Sequence, residues 1–204
     1  MHQLREIYDN LVKQYGNPTD TVHTFCDKGT DHTYIDFYAH HFARCKSDVT
    51  LLEIGIMTGG SLLLWSKYFD KYDLTGIDFS PSWSSARPFQ QEILDNENID
   101  TYFNVNSKDP NFAAGFQDSS VDFIIDDGDH APETQIETFR NYFLKVKSGG
   151  TYFIEDVRGE NEIQFLLREI RVWLDARKIN AGVDVYRGNV TERADDNIIF
   201  IHKT

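Results

Sequence analysis

The sequence predicts an α/β domain with a doubly wound, mostly parallel sheet, helices on both faces and a helical N-terminal extension. Strand-like apolar runs alternate with helical runs from Val49 to about Lys178, the pattern of βαβ units in which each crossover helix returns the chain to the same sheet. The last two runs, VDVYRGN and DNIIFIHK, are joined by too short a link for a crossover and are expected to pair antiparallel. A length of 204 residues with 40% hydrophobic and 14% aromatic content suits one domain with its own core.

The first run, LREIYDNLVKQY, places Leu4, Ile7, Leu11 and Tyr15 at helical spacing, and Asn17-Pro18 is expected to end that helix. A second helix is expected from His32 to Arg44, with Ile35, Tyr38 and Phe42 on its apolar side. After Lys46 the pattern changes. VTLLEIGI reads as a buried strand and GGSLLLWSKYF as the helix it turns into; DLTGIDF is strand again, followed by a helical stretch around SSARPFQQEILDNE. TYFNV, SVDFIIDD and GGTYFIEDV are three further strands, with ETQIETFRNYFLKV as the helix between the last two. NEIQFLLREIRVWLDARK is amphipathic through Ile163, Leu166, Leu167, Ile170, Trp173 and Leu174. No repeat, low-complexity stretch or linker interrupts the chain, so residues 1–204 read as a single domain, 1–48 as the extension and 49–204 as the core.

The formal charge of −13, from 33 acidic and 20 basic residues with no Lys/Arg cluster, lacks the basic footprint that nucleic acid requires. No segment is long and apolar enough to span a membrane, and MHQLREIYDN lacks the apolar core of a secretory signal, so a cytoplasmic location is expected. Cys26 and Cys45 are too few for a zinc site or a disulfide framework.

In doubly wound sheets, ligands bind outside the carboxyl ends of the strands. The first strand ends in Glu53, Gly55, Gly59, Gly60 and Ser61. This spacing is not G-x-G-x-x-G, which weakens a nicotinamide or flavin reading; it suits either a ligand-binding turn or an ordinary one. Asp78, at the tip of the second strand, either accepts hydrogen bonds from both hydroxyls of a ribose or caps the next helix. With Glu53 and the glycines beside it, a nucleoside is the better reading. IIDDGDH and IEDV end two consecutive strands in carboxylates, and neighbouring strands lie about 4.8 Å apart. Asp127, Glu155 and Asp156, completed by water and substrate, would make a hard oxygen site for Mg²⁺, Mn²⁺ or Ca²⁺; capping of helices is the plainer possibility. Asp126 points to the opposite face of its strand and is placed off the ion. Neither motif carries a basic residue to offset these acids, and Arg158 is one arginine against three carboxylates, so a metal is expected to do so. His130, three residues past Asp127, would stand beside the ion as a general base. His32, in DKGTDHTY, is a second histidine of interest.

Together, LLEIGIMTGGSLLLW, GIDF, FIIDDGDH and GGTYFIEDV resemble class I S-adenosylmethionine-dependent methyltransferases, and among them the metal-dependent sugar O-methyltransferases of macrolide biosynthesis, the macrocin and mycinamicin group. DKGTDHTYIDFY resembles the upstream segment of the same group, shared with cephalosporin-hydroxylase-like relatives, and the match runs from about Phe25 to Val157. The resemblance implies a Rossmann-like sheet of seven strands whose last pair is antiparallel. It implies that Glu53, Gly55, Gly59 and Ser61 line the methionine and ribose side of the cofactor, with Asp78 on the ribose hydroxyls and Asp126 counted with the cofactor side. It places the metal ligands on Asp127, Glu155 and Asp156 and the catalytic base on His130. The chain departs from the family pattern at Asn106, where an acidic residue usually meets the adenine amino group, and at Asp129, where a serine is usual.

What the resemblance implies is transfer of a methyl group from S-adenosylmethionine to a hydroxyl of a small molecule, a sugar or a vicinal diol, held by Mg²⁺ (or Mn²⁺ or Ca²⁺) and deprotonated by His130. The larger macrolide enzymes carry an additional N-terminal domain not found in this sequence, so acceptor and assembly do not transfer; a homo-oligomer is compatible with the sequence. Two other classes remain open: a divalent-metal hydrolase, which has no need of Glu53, the glycines and Asp78, and a nucleoside- or metabolite-binding module, which has no need of His130.

Overall fold

The apolar runs form seven strands in the computed structural model, which describes residues 2–16, 25–188 and 193–204. They are β1 (Val49–Ile54), β2 (Tyr72–Ile77), β3 (Ile99–Tyr102), β4 (Val121–Asp126), β5 (Val146–Ile154), β6 (Ala181–Arg187) and β7 (Asn197–Lys203). Their spatial order is β3-β2-β1-β4-β5-β7-β6. The first five pair parallel, while β7 runs antiparallel to both β5 and β6. This is the expected mixed, Rossmann-like sheet.

Alternate residues of each central strand feed two separate cores, as a period of two requires. Leu51, Phe123, Ile125 and Phe153 face a core shared with α1 (His2–Tyr15), α2 (Tyr34–Phe42), α3 (Gly60–Tyr68) and α4 (Gln90–Leu94). Leu52, Ile124, Tyr152 and Ile154 face the other, with α5 (Pro110–Ala113), α6 (Pro132–Tyr142) and α7 (Gly159–Arg177). Both faces are covered, which is why the strands read as continuous apolar runs. Among the described residues no helix is long and apolar enough to cross a membrane.

Several elements are shorter than their patterns suggest. Only Gln90–Leu94 of the SSARPFQQEILDNE stretch is helical, because Pro88 bars Arg87 from helical geometry; Phe89 and Ile93 are nonetheless buried. β3 stops at Tyr102 rather than continuing through TYFNV, since Asn104 adopts a left-handed φ of 58° and its N–H bonds Ser80 O at 2.9 Å. The second helix spans Tyr34–Phe42 within the expected His32–Arg44. The expected helix end at Asn17-Pro18, like part of the turn between β6 and β7, lies outside the described residues.

The strand order reverses between β1 and β4, and that switch point fixes where a ligand crevice can open. There Gly55 has φ +86°, and a Cβ on it would lie 2.0 Å from Asp127 O. The turns leaving the two strands are thus in backbone contact. Gly55→Ala is expected to destabilise the fold by at least about 2 kcal/mol more than Gly149→Ala, which shares the conformational cost at φ +84° but meets nothing within 4 Å. Urea unfolding of both variants measures the difference; equal losses would show that the backbone contact is relieved at no cost.

Candidate active site

The tips of β1, β2, β4 and β5 open into one cavity of about 800 Å³, a volume suited to a small-molecule ligand. Gly55, Ser61, Asp78, Asn106, Asp127, His130 and Asp156 lie on its walls, whereas Glu53, Gly59, Asp126 and Glu155 do not. The candidate residues therefore divide into a lining set and a set standing behind the walls.

On the β1–β2 side, Asp78 joins two turns. Its Oδ2 accepts from the N–H groups of Ile56 (3.0 Å) and Met57 (2.9 Å), and its Oδ1 from that of Ser80 (2.8 Å). A carboxylate accepts about four hydrogen bonds, so some capacity is left toward the cavity. Asp78 does not cap the next helix, α4, which begins at Gln90. Ser61, in the first turn of α3, is nearly buried against the cavity. Asn106 is exposed, with Oδ1 accepting from Lys108 N at 3.0 Å. Gly59 takes φ +85° to start α3, and any Cβ there would meet Trp83 at 2.7 Å.

On the β4–β5 side, the acids are compensated by a residue outside both acidic motifs. Lys28 Nζ lies 2.7 Å from Asp127 Oδ2, 2.7 Å from Glu155 Oε2 and 3.6 Å from Glu53 Oε1. Neither acidic motif supplies a basic residue of its own, as expected, but the acids have a basic partner in Lys28, which the expectation of a metal alone did not include. One ammonium serves more carboxylates than it can neutralise. Burial opposes its charge, but Asp127, Glu155 and Glu53 hold its pKa well above the usual lysine value. Burial pushes Glu53 up to about 7 against the pull of Lys28, and pushes Glu155 well up, with Asp127 and Asp156 adding to it. Glu155 also accepts from Tyr38 Oη through Oε1, while Trp65 Nε1 donates to Glu53 Oε2 at 3.2 Å.

Asp156 faces the cavity with φ 56°. Tyr34 Oη donates to its Oδ1 at 3.0 Å, and His130 Nε2 is 3.8 Å from its Oδ2. Burial, then Asp127, pushes its pKa up. His130 Nδ1 is buried with no hydrogen-bond partner among the described residues. Asp127, His130 and Asp156 each offer one ligand atom within 4.8 Å of the others. Asp126 points away, accepting from Tyr152 Oη at 3.1 Å; burial pushes it up to about 8. Asp129 shapes the turn into α6, accepting from Ala131 N at 3.0 Å and Thr134 Oγ1 at 3.1 Å. His32 is buried between Asp156 and Asp196, at 3.5 and 3.4 Å, and stacks on Tyr34.

Sequence reasoning missed Lys28 and the two tyrosine hydroxyls. Tyr38 reads simply as part of an apolar helix face. For Lys28, nothing in the local pattern of DKGTDHTY marks a buried lysine.

The family described as a methyltransferase domain matches residues 52–157, more than half of the chain. The 8-demethyl-8-(2-methoxy-alpha-L-rhamnosyl)-tetracenomycin-C 3'-O-methyltransferase of Streptomyces olivaceus is 34% identical over 143 residues, 63% of this chain and 33% of that protein. Demethylmacrocin O-methyltransferase of Streptomyces fradiae is 28% identical over 141 residues, 63% of this chain and 33% of its own length. The chain thus matches about a third of the length of these curated relatives. Among solved structures, the MycE methyltransferase from the mycinamycin biosynthetic pathway, in complex with Mg and SAH, superposes with a TM-score of 0.69 at 24% identity over 96% of this chain and 54% of that one. Aeropyrum pernix fibrillarin with bound S-adenosyl-L-methionine superposes at 0.57 and 19% identity over 76% and 67%. Fold, cleft position and the match across β1 to β5 converge, and the chain belongs to the methyltransferase-domain family.

Proposed function

We propose that this chain is an S-adenosylmethionine-dependent O-methyltransferase that uses a divalent metal and acts on a hydroxyl of a sugar or glycosylated small molecule. One observation carries the reading: Asp127, His130 and Asp156 converge on the wall of a cavity whose other side is built by Gly55 and Asp78. A metal hydrolase would have no use for that second side. Of the curated relatives named above, one is a 3'-O-methyltransferase of a rhamnosyl tetracenomycin and the other an O-methyltransferase of demethylmacrocin, and MycE is also known in complex with Mg, SAH and mycinamycin VI.

The donors suit a hard cation. Burial and then the neighbouring Asp127 make Asp156 costly to ionise, so a positive ion held by this pair of carboxylates would relieve a repulsion already present. These two would hold the metal. Glu155, the third member of the expected set, keeps its carboxylate on Lys28 and Tyr38 and would join only by releasing the lysine. A divalent ion so placed supplies Lewis acidity that lowers the pKa of an acceptor hydroxyl.

The rest is the work of the chain's own groups. The acidic wall favours a cationic sulfonium over the neutral thioether left after transfer. Asp78 and the glycine turn hold the nucleoside end, with Asn106 at the adenine side. His130 takes the acceptor's proton; the oxygen's electron pair then forms the new C–O bond as the C–S bond breaks in line, and alignment supplies much of the rate.

S-adenosylmethionine and its demethylated product are each expected to raise the melting temperature. Asp78→Ala should weaken both by about 1–3 kcal/mol in titration calorimetry; binding of NAD in their place would defeat the proposal. Chelation should abolish methyl transfer and Mg²⁺ or Mn²⁺ restore it, with Asp127→Asn weakening metal binding more than Asp126→Asn. Turnover indifferent to chelator would remove the metal. His130→Ala should keep cofactor and metal binding while lowering turnover about 10²–10⁴-fold; unchanged turnover on an identified acceptor would exclude it as the base.

A further inference from the structure

Lys28 partly offsets the strand-tip acids, yet the proposed reaction gives it no part. Its side chain is 1% exposed, between Asp127 Oδ2 and Glu155 Oε2 at 2.7 Å each, with Glu53 at 3.6 Å. The backbone fixes it there: Lys28 is the middle residue of a 3-10 turn, Asp27–Gly29, and the N–H groups of Thr30, Asp31 and His32 all bond Asp27 O at 3.0–3.1 Å. Glu155 is equally committed. Lys28 and Tyr38 take its two carboxylate oxygens, and Gln135 Nε2 donates to its backbone carbonyl at 2.9 Å. Among the described residues, the acids that lie close enough to share an ion are Asp127 and Asp156, with His130 beside them and without Glu155. An ion at Asp127 and Asp156 would share Asp127 with a buried ammonium, and like charges that close repel strongly where water is scarce.

We propose that Lys28 is a resident counter-ion that withholds Glu155 from the divalent-ion site and so sets how tightly the ion binds. This rests on the metal site of the preceding subsection and deepens it. Few protein oxygens then reach the ion, which leaves coordination positions for water and for the acceptor, as exchangeable Mg²⁺ sites require. The lysine also lets the acidic crevice stay folded while the ion is away, because a buried carboxylate cluster never stands without a cation.

The test is Mn²⁺ titration calorimetry on the wild-type chain and on Lys28→Met, Glu155→Gln and Asp156→Asn. Lys28→Met, which frees Glu155 and removes the competing charge, should bind Mn²⁺ at least about tenfold more tightly than wild type. Glu155→Gln should stay within about fivefold of wild type, and Asp156→Asn should lose at least about tenfold. A lysine that merely props the fold predicts equal or weaker binding in Lys28→Met, and that result overturns the proposal. So does a Glu155→Gln loss as large as that of Asp156→Asn, a comparison that decides the matter even if Lys28→Met does not fold. Binding by Lys28→Met but not by wild type would support the counter-ion role while defeating the native metal site; binding by neither would overturn both.

Discussion

Carboxylates gathered in a buried crevice need a positive charge among them, and the cleft is organised around the one that Lys28 supplies. Its ion pairs reach Asp127 and Glu155, 99 and 127 residues away in sequence. Taking one partner from a buried group of this kind costs about 3–5 kcal/mol, because the remaining charges lose their compensation. The segment that carries Lys28 also closes over the start of α3, where a Cβ on Gly60 would lie 1.9 Å from Phe25 O. Residues upstream of β1 are therefore built into the cleft as firmly as the strand tips.

The helix that follows does similar work with uncharged groups. Tyr34 and Tyr38 stand four residues apart on α2, on one face of the helix, and their hydroxyls donate to the consecutive acids Asp156 and Glu155. Their rings join the apolar layer, with Tyr38 5.3 Å from Trp65 and 5.2 Å from Phe153, and Tyr34 stacked on His32 at 4.6 Å. An aromatic body with a polar tip can serve core and cleft at once. Asp156 has a left-handed backbone, and Tyr34 Oη holds the carboxylate that His130 approaches.

The sheet was legible because strands covered on both faces have no polar alternation to confuse them, and the order of apolar runs implied the crossovers. The sites at the tips were legible for the same reason: a carboxylate ending a greasy strand, such as Asp78 or Asp127, stands out against its neighbours. Contacts that bridge distant segments were not. Lys28 lies in a polar turn whose local sequence says nothing about which strand it will meet. Glu155 and Asp156 are adjacent in sequence and alike in chemistry, yet one turns back to Lys28 and the other toward the cavity. The overestimate of α4 has a local cause in Pro88.

The glycine at the end of β1 bears on how variants of this protein should be interpreted. A side chain at position 55 collides with the carbonyl of Asp127 whether or not any ligand is present. In a saturation scan read out by activity, intolerance at that position reports first on the join between two strand ends. Ser61 and Asn106 lie on the same cavity with φ values outside the left-handed region. Their substitution profiles are the ones that carry information about what the cavity recognises.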